Sequence, residues 1–265
     1  MVWRQMNAEH PVLLESHDGV ITLTLNRPES LNAIDNALAS ALRRAVETVA
    51  AMPEARVVIL RGAGKSFCGG GDVLAMHAQH ANLVDFIDHL IDDFHAGVMA
   101  LRRLPIPVIA SVHGAAAGGG FSLALACDMV VATRRARFVV AYPHLGAPAD
   151  GGLSFQLTQR LGHALGFETL TLHGNLNAEK ALALGLINHV VDAETADAEA
   201  QTWARELVAL PVQSVNELKQ LVGVQSQQAF EAHLTREKAA FMRCVNNPDL
   251  VARVAAFAEK QRAAS

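Results

Sequence analysis

Residues 62–72, GAGKSFCGGGD, and residues 113–127, HGAAAGGGFSLALAC, surround a few chemically able groups with glycine. A phosphate cradle needs a glycine five residues before the Gly64-Lys65 pair, and Ile59 stands there. A dinucleotide fingerprint needs a third glycine where Phe67 stands. Gly120-Phe-Ser122-Leu-Ala124 approaches a serine nucleophile elbow, but about nine residues separate Ser122 from the apolar strand that ends at Val112. A pair of backbone donors fits both segments together. Each follows an apolar strand and opens a helix, so each can aim unpaired N–H groups into one cleft. Glycine lets those groups approach a ligand oxygen closely. Such an oxyanion hole is worth roughly 3–4 kcal/mol per donor where negative charge develops on oxygen. The plainer alternative is that both segments are only tight turns.

Asp150, in the run Asp150-Gly-Gly-Leu-Ser154, offers a carboxylate for acid/base work or an N-cap for a helix starting near Leu153. His95 belongs to a polar stripe with Asp88, His89 and Asp92, which reads as a solvated helix face. The His/Asp pairs of that stripe have no HExxH pattern and no third ligand, so no metal site is expected. Cys68 has no base beside it and reads as a small packing residue. His144, close to Asp150 in sequence, is placed at a pocket rim.

Elements that can position these groups are readable from periodicity. Residues 19–26 alternate apolar and polar as a strand does, and Asp35 can cap a helix whose apolar positions are Leu38, Leu42, Ala45 and Val49. Residues 57–60 and 108–112 are short apolar strands of the kind buried on both faces. Between them lies a long helix with Leu83, Phe86, Ile87, Leu90, Phe94, Val98 and Leu101 on one side, ended by Pro105 and Pro107. Residues 128–132, 136–141 and 186–191 read as further strands, and from about 195 the pattern is helical. Strands alternating with helices predict an α/β fold with at least partly parallel pairing. The division expected is a core over residues 1–194 and a helical subdomain over 195–265, with no strand left for the latter to cover.

Composition bounds the rest. The chain has 265 residues, 51% hydrophobic and 18% charged, which is enough to bury a sizeable core and excludes intrinsic disorder. A net charge of −4 argues against nucleic-acid binding. Three widely spaced cysteines make no disulfide framework. No signal peptide or membrane-spanning run is read, so a cytoplasmic protein is expected.

Four segments together resemble the enoyl-CoA hydratase/isomerase (crotonase) superfamily: Leu25-Asn-Arg-Pro28 with Asn32-Ala33, Ser66 to Asp72, His113 to Gly120, and Phe138 to Tyr142 through Asp150-Gly-Gly152. They cover most of residues 12–190. The resemblance implies a crotonase-like spiral of ββα units, a C-terminal helical trimerisation region, and a homotrimer or dimer of trimers. It implies acyl-CoA substrates, with coenzyme A entering as part of the substrate and no tightly bound cofactor. It assigns the oxyanion hole to the N–H groups of Gly71 and Gly119, with Asp72 beside the first. It also implies contacts to the CoA adenine and phosphate from Phe257 and Lys260 of a neighbouring subunit. Arg27 and Lys65 are further phosphate candidates.

The two glutamates that hydratases of this family use fall here on Ser122 and Tyr142. Neither is a carboxylate, so ordinary water addition is in doubt and both are expected to line the pocket. Asp150 aligns with the working aspartate of some isomerases and aryl-CoA dehalogenases of the family. Moving a proton from Cα to Cγ needs one base that accepts and returns it, and apolar surroundings push a carboxyl toward the useful range. A double-bond isomerase is the leading expectation, with hydratase as the alternative. Less favoured are a dehalogenase using Asp150 as nucleophile with His95 as base, and a silent acyl-CoA-binding relative.

Overall fold

The computed structural model describes residues 3–5, 10–192 and 194–264. Strands β1 (Trp3–Gln5), β2 (Val12–His17) and β3 (Val20–Leu25) form an antiparallel meander. The chain then runs through α1 (Asn36–Ala50), β4 (Val57–Gly62), α2 (Val73–Ala78), α3 (Leu83–Arg103) and β5 (Val108–Val112). There follow β6 (Ala115–Ala117), α4 (Gly119–Ala126), β7 (Met129–Thr133), β8 (Arg137–Val139), α5 (Leu153–Thr171), β9 (Asn175–Asn177), α6 (Ala178–Ala183) and β10 (His189–Val191). Three helices end the chain: α7 (Asp197–Ala209), α8 (Val212–Val245) and α9 (Pro248–Ala264).

The main sheet has the order β1-β2-β3-β4-β5-β7-β10, parallel from β3 onward. Its central strands are buried on both faces, which is why they read as unbroken apolar runs rather than alternating ones. Alternate residues serve different layers. Val58 and Leu60 join the large core with α1 and α3, while Val57 and Ile59 face Ala196, Ala200 and Ala204 of the segment that leads into and forms α7. The helix after residue 194 therefore covers the second face of the sheet. Phe230, Leu234, Phe241 and Val245 bind α8 into the large core.

A second sheet, β6-β8-β9, stands beside the first. Its β6 lies inside the second glycine segment, where sequence periodicity offered no strand signal. The two glycine segments are joined by a parallel bridge, Cys68 N–H donating to Ala115 O at 2.9 Å and Ala117 N–H to Cys68 O at 2.9 Å. Glycine is required at this contact: a Cβ on Gly120 would lie 2.4 Å from Cys68 O, and one on Gly70, whose φ is +92°, 2.7 Å from Ala117 O.

Candidate active site

One cavity is lined by Gly71, Gly119, Tyr142 and Asp150 among a wall of Ile34, Met76, Ile87, Leu90, Ile91, Phe94 and Phe241. A larger cavity between the end of α1 and the start of α8, lined by Pro53, Arg56, Pro105 and Asn216 among others, holds none of the candidate groups. The chemistry collects in the smaller one.

Each glycine segment contributes one glycine to the wall of that cavity. Ile34 N–H donates to Gly70 O at 2.7 Å and Asp72 N–H donates to Ile34 O at 2.9 Å. Because successive peptide groups alternate along an extended chain, this bridge turns the N–H of Gly71 to the opposite side. Gly119 begins α4, where the first N–H groups have no intrahelical partner, and its N-cap Gly118 supplies no side chain. Neither Gly71 nor Gly119 N–H donates to another backbone group among the described residues.

Asp72 does not line the cavity. Its carboxylate caps α2 through Ala75 N–H at 3.0 Å and pairs with Arg27 at 3.1 Å. Arg27 also pairs with Asp35 at 3.2 Å, so it holds the two loops together rather than standing free for a phosphate. Lys65 is exposed.

Ser122 is fully buried and does not line the cavity, contrary to the expectation for it. Its hydroxyl donates to the main-chain carbonyl of Asp150 at 2.6 Å, and the Tyr142 hydroxyl reaches the same oxygen at 3.1 Å. Burial, with the Asp150 charge added, pushes the Tyr142 phenol well above its ordinary value, so it stays a neutral donor. Two hydroxyls thus fix where residue 150 sits. Glycine at 151, with φ +65°, lets this turn press against Phe94, since a Cβ would lie 2.4 Å from that ring.

The Asp150 carboxylate meets His95, whose Nε2 lies 2.7 Å from Oδ1. The two side chains are 11% and 7% exposed, so the solvated face expected for His95 is corrected: α3 turns this residue inward while Asp92 and His89 stay exposed. Burial pulls the His95 imidazole down, but the Asp150 charge and hydrogen bond, with Glu237 and Asp92, outweigh it and hold its pKa above the ordinary value. Asp150 Oδ2 accepts no hydrogen bond among the described residues.

Nor does the Asp150 side chain cap a helix. The N-cap of α5 is Gly152, without a side-chain bond of its own. Glu237 of α8 serves instead, accepting from Gly152 N–H at 2.6 Å and from Ser154 N–H at 3.1 Å. His95, Asp150 and Glu237 each place a potential metal-ligating atom within 4.8 Å of the others. The residues do not fit a metal cage well, because both Glu237 oxygens already accept N–H donors and His95 is paired with Asp150. Sequence reasoning missed Glu237: a lone glutamate in a polar helix carries no signal.

The remaining candidates lie elsewhere. His144 is exposed, and its main-chain carbonyl accepts from Arg253. Phe257 and Lys260 are exposed on α9 and do not line the cavity. Cys68 is a buried thiol pushed up to about 12 by burial, and it donates to Asn32 O at 3.1 Å, so it packs as expected.

A family profile for enoyl-CoA hydratase/isomerase matches residues 15–264. The chain belongs to the enoyl-CoA hydratase/isomerase family. It is 33% identical, over 94% of its length and 96% of the relative's, to a 1,2-epoxyphenylacetyl-CoA isomerase of Escherichia coli K12. It is 28% identical, over 98% and 94%, to a 4-chlorobenzoyl coenzyme A dehalogenase of Arthrobacter. Among solved structures, an enoyl-CoA hydratase/isomerase from Mycobacterium paratuberculosis superposes with a TM-score of 0.88 at 28% identity, covering 95% of this chain and 99% of that one. The crotonase fold expected for the hydratase/isomerase family is the fold observed. No helix among the described residues is long and apolar enough to cross a membrane.

Proposed function

We propose that this acyl-CoA enzyme isomerises enoyl-CoA thioesters, with Asp150 as its single acid/base. The observation that supports this reading is one buried carboxylate on the wall of an apolar cavity that Gly71 and Gly119 also line. In the proposed step Asp150 Oδ2 takes the Cα proton of a 3-enoyl-CoA. The electron pair passes into a dienolate whose oxygen the two amides hold, and the proton returns at Cγ to give the 2-enoyl-CoA. Removing an α-proton is accessible only where that oxygen charge is stabilised, which is the task of preorganised donors. Asp72, Ser122 and Tyr142 position the loops.

Incubation with 2-enoyl- and 3-enoyl-CoA in deuterated water tests this. Interconversion of the two, with deuterium at Cα or Cγ, is expected; hydration without positional exchange would transfer the assignment to hydratase chemistry.

The His95–Asp150 contact favours a second reading, nucleophilic displacement on an aryl-CoA. Asp150 would attack the ring carbon bearing a halide, expel halide and form an aryl ester, which water activated by His95 would cleave. Halide release from a halobenzoyl-CoA separates the two readings.

The CoA contact of Phe257 and Lys260, a homotrimer or dimer of trimers, and a cytoplasmic setting complete the proposal. Exposed Leu218, Leu221 and Val222 on α8 and Phe167 and Leu172 near the end of α5 support assembly, as apolar surface that a partner copy would cover. Light scattering on the eluting peak reads the copy number.

A further inference from the structure

We infer that Glu237 is a positioning residue that caps α5 in place of Asp150, and so leaves the Asp150 carboxylate free for His95 and the cavity. The sequence Asp150-Gly-Gly-Leu-Ser sets a conflict. An aspartate just before a helix is a natural acceptor for the helix's first N–H groups, and a carboxylate spent that way has one oxygen fewer for chemistry. The conflict is resolved from 85 residues away in sequence, the separation between Gly152 and Glu237.

Glu237 is 5% exposed. Its Oε2 accepts from Gly152 N–H at 2.6 Å, and its Oε1 accepts from Ser154 N–H at 3.1 Å and from the Ser154 hydroxyl. A negative group at this end of α5 also meets the positive end of the helix dipole. Packing of α8 holds the carboxylate there. Phe230 lies against Gly152 so closely that a Cβ at 152 would be 2.1 Å from its ring, and Phe155 meets Phe230 edge-on at 5.4 Å.

Charged and titratable groups face His95 from each packed element: Asp92 on its own helix, Asp150 on the loop before α5, and Glu237 on α8. Lys238 is occupied by Asp88 and Asp92, and His233 by Ser154, at 2.7 Å from the Ser154 hydroxyl. With Glu237 gone, the buried N–H of the N-cap Gly152 and the partly buried N–H of Ser154 lose their acceptor. The Asp150 carboxylate, two residues before the N-cap Gly152, is the acceptor the inference puts in its place, and it would leave His95 to serve.

The inference rests on Asp150 being the acid/base only for its kinetic arm. The full-length Glu237→Leu and Glu237→Gln variants are compared with wild type by proton NMR and by isomerase kinetics. The imidazole N–H bonded to Asp150 gives a downfield resonance, identified by its loss in His95→Gln. In Glu237→Leu that resonance disappears, kcat falls by about tenfold or more, and KM stays within about twofold. Glu237→Gln keeps one acceptor and shows an intermediate loss in both, which decides the matter should the leucine variant fail to fold. A folded variant that retains the downfield resonance overturns the inference. A wild-type enzyme without isomerase activity would defeat the functional reading alone, leaving the resonance to judge the role of Glu237.

Discussion

His95 Nε2 lies 2.7 Å from Asp150 Oδ1, a contact between the middle of α3 and the loop before α5 that spans 55 residues of sequence. It orients the Asp150 carboxylate from one side, and among the described residues Oδ2 accepts from no donor. A base held on one oxygen and open on the other can take a proton without losing its position.

Replacing the carboxylate should therefore remove turnover and little else. Asp150→Asn keeps the shape and a carbonyl oxygen opposite His95 but cannot accept a proton. We expect kcat to fall by about 10³-fold or more, with acyl-CoA binding by calorimetry within about threefold. Unchanged turnover would remove Asp150 from the mechanism.

The same pair makes stability depend on pH in a stated direction. The folded-state pKa of His95 is raised, so its contribution is fully present below the unfolded value of about 6.5 and is lost as pH rises through the folded value. The difference in denaturation free energy between wild type and His95→Gln should be greatest near pH 5.5 and shrink toward pH 8.5. A difference that grows with pH would contradict this electrostatic account.

Ser122 and Tyr142 act through one atom, the Asp150 carbonyl oxygen. Each single change, Ser122→Ala or Tyr142→Phe, removes one donor, costs about 1 kcal/mol of stability, and leaves the other donor in place. The double variant should lose more activity than the product of the single losses, because only then does the carbonyl lose both hydroxyl donors and keep just the longer bond from Leu153 N–H at 3.4 Å. A fluorophosphonate probe should leave Ser122 unlabelled, since its proton is committed to that carbonyl.

Arg27 ties Asp35 and Asp72 together beneath the first glycine segment, with its side chain 21% exposed. Arg27→Met should destabilise the protein by about 1–3 kcal/mol, because two partly buried carboxylates lose their cation. Activity should fall with it, as Gly71 immediately precedes Asp72. Urea denaturation and initial rates, measured on the same preparation, check both.

The central strands of the main sheet and the glycine segments were legible because their signals are local: an apolar run buried on both faces, a turn that tolerates no Cβ. The cap of α1 by Asp35, whose side chain accepts from Leu38 N–H at 2.8 Å, is equally local. His95 was legible only through the family resemblance, as a base beside Asp150 in the less favoured dehalogenase reading, and not from its own spacing. Its neighbours Asp88, His89 and Asp92 mark a polar stripe, and only the approach of the loop before α5 from across the fold turns one member of the stripe inward. Glu237 escaped for the same reason. The meaning of both residues lies in contacts with partners 55 and 85 positions distant. Tyr142 lines the cavity as expected, whereas Ser122 was placed at the right site but in the wrong relation to it, since spacing gives proximity and not the direction of a hydroxyl.

A grip of the Gly71 and Gly119 amides on one thioester oxygen, as proposed, is read most directly in the carbonyl stretch of a bound acyl-CoA. A 2-enoyl-CoA carrying ¹³C at the thioester carbonyl, bound to Asp150→Asn so that turnover is suppressed, should show its isotope-edited infrared band displaced to lower frequency than in water. Two aligned donors in an apolar cavity polarise a carbonyl more than solvent does. A band at or above its position in water would mean that no such pair of donors holds the oxygen.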